Sequence, residues 1–157
     1  MFALLFYSVL PYCIFMTPNK DIFCAIAAKE EPAFIVSENS HAVAFLDREP
    51  ATEGHMLIVP KQHANDIFDI SEEKLAAVMS LAQQSAVALK KIFGYTSIIL
   101  HQVNGEGAQD VRHFHLHVYG GPHATPYFYQ QFSTTEDLNT SLENTQKRIV
   151  NEFTFLK

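Results

Sequence analysis

The chain has 157 residues, a length that fits one domain with a core large enough to fold without disulfide or metal staples. Hydrophobic residues make up 48% and charged residues 18%, which excludes a disordered chain; 11 basic against 17 acidic side chains leave a formal charge of −6, which excludes the electrostatic footprint of a protein that grips nucleic acid or an anionic membrane. With Cys13 and Cys24 as its two cysteines, the chain has no secreted-type disulfide framework and is expected in the reducing cytoplasm.

Residues 1–20 read as an apolar N-terminal extension. Met1 to Met16 carry no charged side chain, yet the stretch is shorter than the ~20 residues of a spanning helix, and Pro11 interrupts it. No Lys or Arg precedes Lys20, so the basic start of a secretory signal is missing, although Ala25-Ile26-Ala27 has the small-residue form of a cleavage site. A start of the functional chain near Met16 fits better than a leader.

From Ile22 to Lys29 a short helix is expected, ended by Glu31-Pro32. Three strands are expected next, over Phe34–Val36, His41–Leu46 and His55–Val59, with Asp47 to Gly54 as the loop between the last two. Helical spacing of Leu75, Val78, Met79, Ala82, Ala86, Leu89 and Phe93 predicts a long helix over Ser71–Phe93. Ser71 is its N-cap, Glu72 and Glu73 stand in its first turn, Lys90 and Lys91 in its last, and Gly94 follows. Ser97–Leu100 is a strand candidate, followed by the loop Asn104-Gly105-Glu106-Gly107. A last strand is expected over His113–Tyr119, stopped by Gly120-Gly121-Pro122. The tail from Thr125 closes with a helix carrying Leu138, Leu142, Ile149 and Phe153 on one side. The sum is an α+β domain with a mainly antiparallel sheet of about five strands, one long helix and a C-terminal helix.

The chemistry concentrates in His113-Phe114-His115-Leu116-His117-Val118-Tyr119. Strand alternation puts the three imidazoles on one face and Phe114, Leu116 and Val118 on the other. Neighbouring imidazoles repel when protonated, so at neutral pH most are neutral and available as nucleophile, acceptor or ligand. Two chemistries fit such a row. Histidines at i, i+2 and i+4 can reach one metal ion, or one imidazole can attack phosphorus while the others handle oxygens and the leaving group. The glycine-containing loop just upstream offers free N–H groups to a phosphate.

The segment resembles the signature of the histidine triad (HIT) family of nucleotide hydrolases and transferases, His-φ-His-φ-His-φ-φ with φ apolar, at every position. Other landmarks occur in the family's order: Ile22-Phe23-Cys24, Ala44-Phe45-Leu46-Asp47, Gly54 to His63, and Gln109-Asp110-Val111. The resemblance spans about residues 21–122, taken as the HIT domain, and leaves residues 123–157 as a tail. It implies that His115 is the nucleophile toward an α-phosphorus, that His117 serves the leaving group, that His113 orients the row, and that His63 is the fourth active-site histidine. It also implies that Asp47 holds the ribose hydroxyls and that Ile22, Phe23 and Phe45 form the apolar base pocket. Asn104, favoured over Gln102 for the family's loop Asn, joins Gln109 and Asp110 on the substrate.

The implied activity is hydrolysis of purine nucleoside 5′-phosphoramidates or dinucleoside polyphosphates through a nucleotidyl-histidine, with no cofactor. A nucleotide-binding module with little or no turnover is the alternative. Asp110 stands where many relatives carry Ser or Thr, and a carboxylate there repels phosphate. Some relatives hold a structural zinc with Cys-x-x-Cys and two His; here Asp21 occupies the first Cys position, so the set counts as incomplete and no metal is expected. The partners expected are a purine nucleotide and a second copy of the chain, through an open sheet edge and the long helix, with neither nucleic acid nor membrane.

Overall fold

The structure is a computed structural model and describes residues 21–121 and 141–155. Helix α1 (Ile22–Ala27) is followed by β1 (Ile35–Glu38), β2 (Ala42–Leu46) and β3 (Met56–Pro60), then α2 (Glu72–Phe93), β4 (Ser97–His101), β5 (Leu116–Gly121) and α3 (Leu142–Phe155). The five strands form one antiparallel sheet in the order β1-β2-β3-β5-β4. This is the expected α+β architecture. Among the described residues no helix is long and apolar enough to cross a membrane.

Strands β2 and β3 are buried along their whole length because both faces of the sheet are covered. Ala42, Ala44, Leu46, Met56 and Ile58 point to the face under α2 and α3, where they meet Val78, Leu81, Leu89, Ile149 and Phe153. The alternating residues Val43, Phe45, Leu57 and Val59 point to the opposite face and pack against Phe23 and Ile26 of α1. The two helix-covered layers differ in extent. The long α2 fills its side, whereas the six-residue α1 leaves the β3-β5-β4 part of the other face open for polar side chains.

The buried stripe of α2 runs through Val78, Leu81, Ala82, Ser85, Ala88 and Leu89; Met79, expected on the apolar face, is exposed. Ser71 stands at the N-cap with extended backbone but makes no side-chain capping bond, and Gly94 closes the helix in the left-handed conformation at φ 67°. The helix expected to Lys29 ends at Ala27, where Lys29 turns to φ 61°. In α3, Ile149 and Phe153 are buried as expected; Leu138 lies outside the described residues.

The main departure concerns the last strand, which begins at Leu116 rather than His113. The backbone N–H of His113 donates to the carbonyl of Val111 at 2.8 Å, and that of Phe114 to Ala64 at 2.6 Å, so this stretch bonds to loops before it joins the ladder. Regular alternation therefore holds for His115 and His117 only.

Candidate functional site

Histidines 115 and 117 lie on the α1 side of the sheet, and the strand neighbours of β5 supply two more imidazoles there. His101 at the end of β4 pairs directly with His117, and their rings stack at 5.8 Å. His55, just before β3, precedes by two residues the Leu57 that pairs with His117, so it shares the same face. The row along the chain is thus crossed by a second row, His55–His117–His101, running across the strands.

Hydrogen bonds assign the protons in these rings. Nδ1–H of His115 donates to the carbonyl of His113 at 2.7 Å, which leaves Nε2 with the free lone pair. The N–H of Ala51 donates to Nδ1 of His55 at 3.1 Å, so a neutral His55 carries its proton on Nε2. That proton points to Nδ1 of His117, 3.0 Å away, and a neutral His117 in turn holds its own proton on Nε2. Burial, reinforced by His101, holds His55 down to about 4; burial, then His55 and His115, hold His117 down to about 4. At neutral pH His55 and His117 are uncharged, and His117 presents a donor N–H beside Nε2 of His115.

Two cavities meet at these residues. One of about 560 Å³ is walled by Ile22, Phe23, Phe45 and Leu57, with Asp47 and Arg48 at its polar side. Phe23 stands edge-on to His115 at 5.3 Å and tilted against Phe45 at 5.7 Å. Asp47 combines two uses: Oδ1 accepts the N–H of Glu49 at 2.9 Å in a turn, while Oδ2 lies 3.5 Å from Nδ1 of His55. The other cavity, about 490 Å³, is walled by His55, His101, Gln109, Tyr119 and apolar residues of β4. His115, His117 and Asp110 line both.

The remaining expected site residues lie elsewhere. Asn104 lines neither cavity; its Oδ1 accepts the N–H of Ile67 at 2.8 Å and its Nδ2 bonds Gln102, bracing the glycine-containing loop. His113 and His63 also line neither. His113 is fully buried, donates Nε2–H to the carbonyl of Pro60 at 3.0 Å, and turns Nδ1 toward Asp21 Oδ1 at 3.1 Å and Cys24 Sγ at 3.5 Å. His63 Nδ1 lies 2.9 Å from Asp21 Oδ2 and 3.5 Å from the same thiol. Asp21 caps α1 by accepting the N–H of Cys24 at 2.8 Å. Burial works to raise its carboxyl, but the Cys24 N–H and thiol, with His113 beside them, bring it down to about 2.

Asp21, Cys24, His63 and His113 thus present four donor atoms within 4.8 Å of one another. Counted from the sequence this set was incomplete; in the fold the Asp21 carboxylate stands beside the other three side chains. One feature tests the fit. With Nε2–H committed to Pro60, a neutral His113 turns an acceptor nitrogen toward an acceptor carboxylate, a contact that needs a proton or a cation between them. Burial lowers the pKa of His113 and disfavours the proton. An oxygen, a thiolate and two imidazoles suit a divalent ion such as zinc.

Sequence reasoning missed His55 and His101 as site residues. The signal for His101 was its place in the cluster of four histidines within residues 101–117; for His55 it was its position two residues before a strand residue that pairs with His117, which only the strand order reveals.

Comparison with known proteins agrees with this geometry. The HIT domain family profile matches residues 28–124. An uncharacterized HIT-like protein of Mycoplasma genitalium is 41% identical over 105 residues, covering 65% of this chain and 73% of that protein. The adenosine 5′-monophosphoramidase HNT1 of Saccharomyces cerevisiae is 41% identical over 98 residues, covering 62% of this chain and 60% of its own length. Among solved structures, a zinc-bound histidine triad family protein from Mycobacterium smegmatis superposes with a TM-score of 0.72 at 27% identity, covering 86% of this chain and 94% of that one. With its family profile match, relatives and fold in agreement, the chain belongs to the HIT domain family.

Proposed function

We propose that the protein is a nucleotide hydrolase that attacks the α-phosphorus of purine nucleoside 5′-phosphoramidates or dinucleoside polyphosphates and releases a nucleoside monophosphate. The observation that carries the reading is the proton assignment. His115 offers an Nε2 lone pair at the junction of the two cavities, and His117 beside it holds an Nε2–H. In the first step His115 Nε2 bonds to phosphorus and the bond to the leaving group breaks with its electron pair on the departing atom, which accepts a hydrogen bond from His117 Nε2–H; a departing amine nitrogen draws its extra proton from water. Water then attacks phosphorus, its proton passes to solvent, and the bond to His115 breaks to free the imidazole.

The purine suits the Phe23 and Phe45 wall, and Asp47 Oδ2 suits the ribose hydroxyls. The yeast relative HNT1, an adenosine 5′-monophosphoramidase, falls in this class. Asp21, Cys24, His63 and His113 would hold a zinc ion, whose contribution there is to tie the start of α1 to the entry of β5. The active form in this reading is a homodimer. Strand β4 forms an open edge with Leu100 45% exposed, and α2 exposes Met79 and Val87.

Rapid-quench digestion tests the reaction. An acid-labile, base-stable nucleotidyl group on His115 is expected, and His115→Ala should abolish turnover by several orders of magnitude while still binding nucleoside monophosphate. Nucleotide binding with no such intermediate and no turnover would establish the alternative, a binding module, which the Asp110 carboxylate at the junction favours. Sedimentation of the 17.7 kDa chain as a monomer at micromolar concentration would refute the dimer.

A further inference from the structure

Resting on the reading above, we propose that the second cavity receives the leaving group and selects an amine that carries a second, protonated amino group. The first cavity is matched to a nucleoside, and the reacting histidines stand where the two cavities join, so the departing group occupies the other side.

Charge selects first. The wall of the second cavity holds four imidazoles and Asp110 but no lysine or arginine, whereas Arg48 lines the nucleoside side. Asp110 is exposed at the junction and makes no ion pair among the described residues. An oligophosphate leaving group would bring several negative charges to a wall whose fixed charge is a carboxylate, whereas an ammonium group would find its partner there.

Hydrogen bonding selects second. Gln109 donates Nε2–H to the carbonyl of Asn65 at 2.9 Å, which fixes the orientation of its amide. Its amide donor is thereby engaged by Asn65 rather than offered to a phosphate oxygen. His117 Nε2–H remains as a donor at this wall, and the lone pair of a departing amine nitrogen accepts it.

The test compares adenosine 5′-phosphoramidates of three amines of matched length, 1,4-diaminobutane, pentylamine and 4-aminobutyrate, with diadenosine tetraphosphate as a fourth substrate. The expected order of kcat/KM is cationic, neutral, anionic, with about tenfold between the ends at low salt. The spread should narrow in high salt, which screens an exposed carboxylate, and in Asp110→Asn it should fall to about twofold. Equal rates, a preference for the anionic amine or the tetraphosphate, or a spread unchanged in Asp110→Asn and in salt would overturn the selection. A nucleotidyl-histidine formed from these amidates at indifferent rates would leave the hydrolase reading standing; its absence with all four substrates would overturn both.

Discussion

Replacing His55 with Phe tests whether the proton on His117 is placed by its neighbour. Phe keeps a ring against Tyr119 and His117, whose centroids lie 4.8 Å and 5.1 Å away, and deletes the two hydrogen bonds of the imidazole. Each such bond is worth about 0.5–1.5 kcal/mol net, so the fold should lose ~1–3 kcal/mol, read from the denaturant midpoint. The rate argument is separate. A bias of about 1 kcal/mol between the two tautomers of His117 is roughly a fivefold ratio, so losing that bias alone removes no more than about half of the Nε2–H form. A positioned general acid contributes about 10²–10⁴, so loss of ring orientation dominates. For an alkylamine phosphoramidate, whose nitrogen must be protonated to leave, kcat/KM should fall about 10- to 100-fold, or ~1.4–2.8 kcal/mol. For the 4-nitrophenyl ester of the same nucleotide, which departs as a stable anion, the fall should stay under about threefold. Equal losses on both substrates would refute the proton relay.

Three further outcomes are expected. Because the pKa of His55 drops from 6.5 to about 4 on folding, the unfolded chain binds the extra proton between those values; stability present above pH 6.5 should be lost as pH falls toward 4, by up to about 3 kcal/mol, and a flat melting temperature from pH 7 to pH 5 would contradict it. The carboxyl of Asp21, lowered from 3.8 to about 2 in the fold, stays ionised in both states above about pH 5 and adds its own loss of stability only below that. Zinc added to chelator-stripped protein should raise the melting temperature, since a ligand at 100 times its Kd stabilises by about 2.7 kcal/mol, and Asp21→Ala or Cys24→Ser should remove the shift; no shift in the parent chain would leave Asp21 and His113 as an ion pair. Gly120→Ala places a Cβ 1.9 Å from Tyr95 Cδ2, forcing Tyr95 off its stack on Phe93 and its bond to the Glu53 carbonyl; about 1–3 kcal/mol of stability should go, and a loss below about 0.5 would show that the ring moves freely.

What was legible in the sequence was whatever repeats along one element. The helical spacing from Leu75 to Phe93 and the strand-forming runs 41–46 and 55–59 produced α2, β2 and β3 within a residue or two, because burial acts on each element's own period. What was not legible depends on contacts between distant segments. The strand expected from His113 starts three residues later because Phe114 spends its N–H on Ala64, in a loop some fifty residues upstream. His55 and His101 enter the site only because β3 and β4 flank β5, an order no local pattern encodes. Asp21 reads locally as an N-cap, and it is one; that its second oxygen also meets His63 follows from the packing of α1 against β3.

The late start of β5 also divides the labour among the three histidines of the signature. A continuous strand from His113 would place its imidazole beside His115 and His117 on the open face. Instead, the loop conformation sends the His113 side chain into the closed cluster with Asp21 and Cys24 and leaves its carbonyl to accept the Nδ1–H of His115. His113 therefore reaches the His115 imidazole through its backbone, while its side chain anchors that backbone: Nε2–H is tied to Pro60 at the end of β3, and Nδ1 faces the first turn of α1. The same two elements carry walls of the first cavity, Phe23 on α1 and Leu57 on β3. Fixing the buried cluster thus fixes, through one residue, both the tautomer of His115 and the pocket in front of it. That accounts physically for a polar group as demanding as a fully buried imidazole at a position where the apolar core would be easier to fill with carbon.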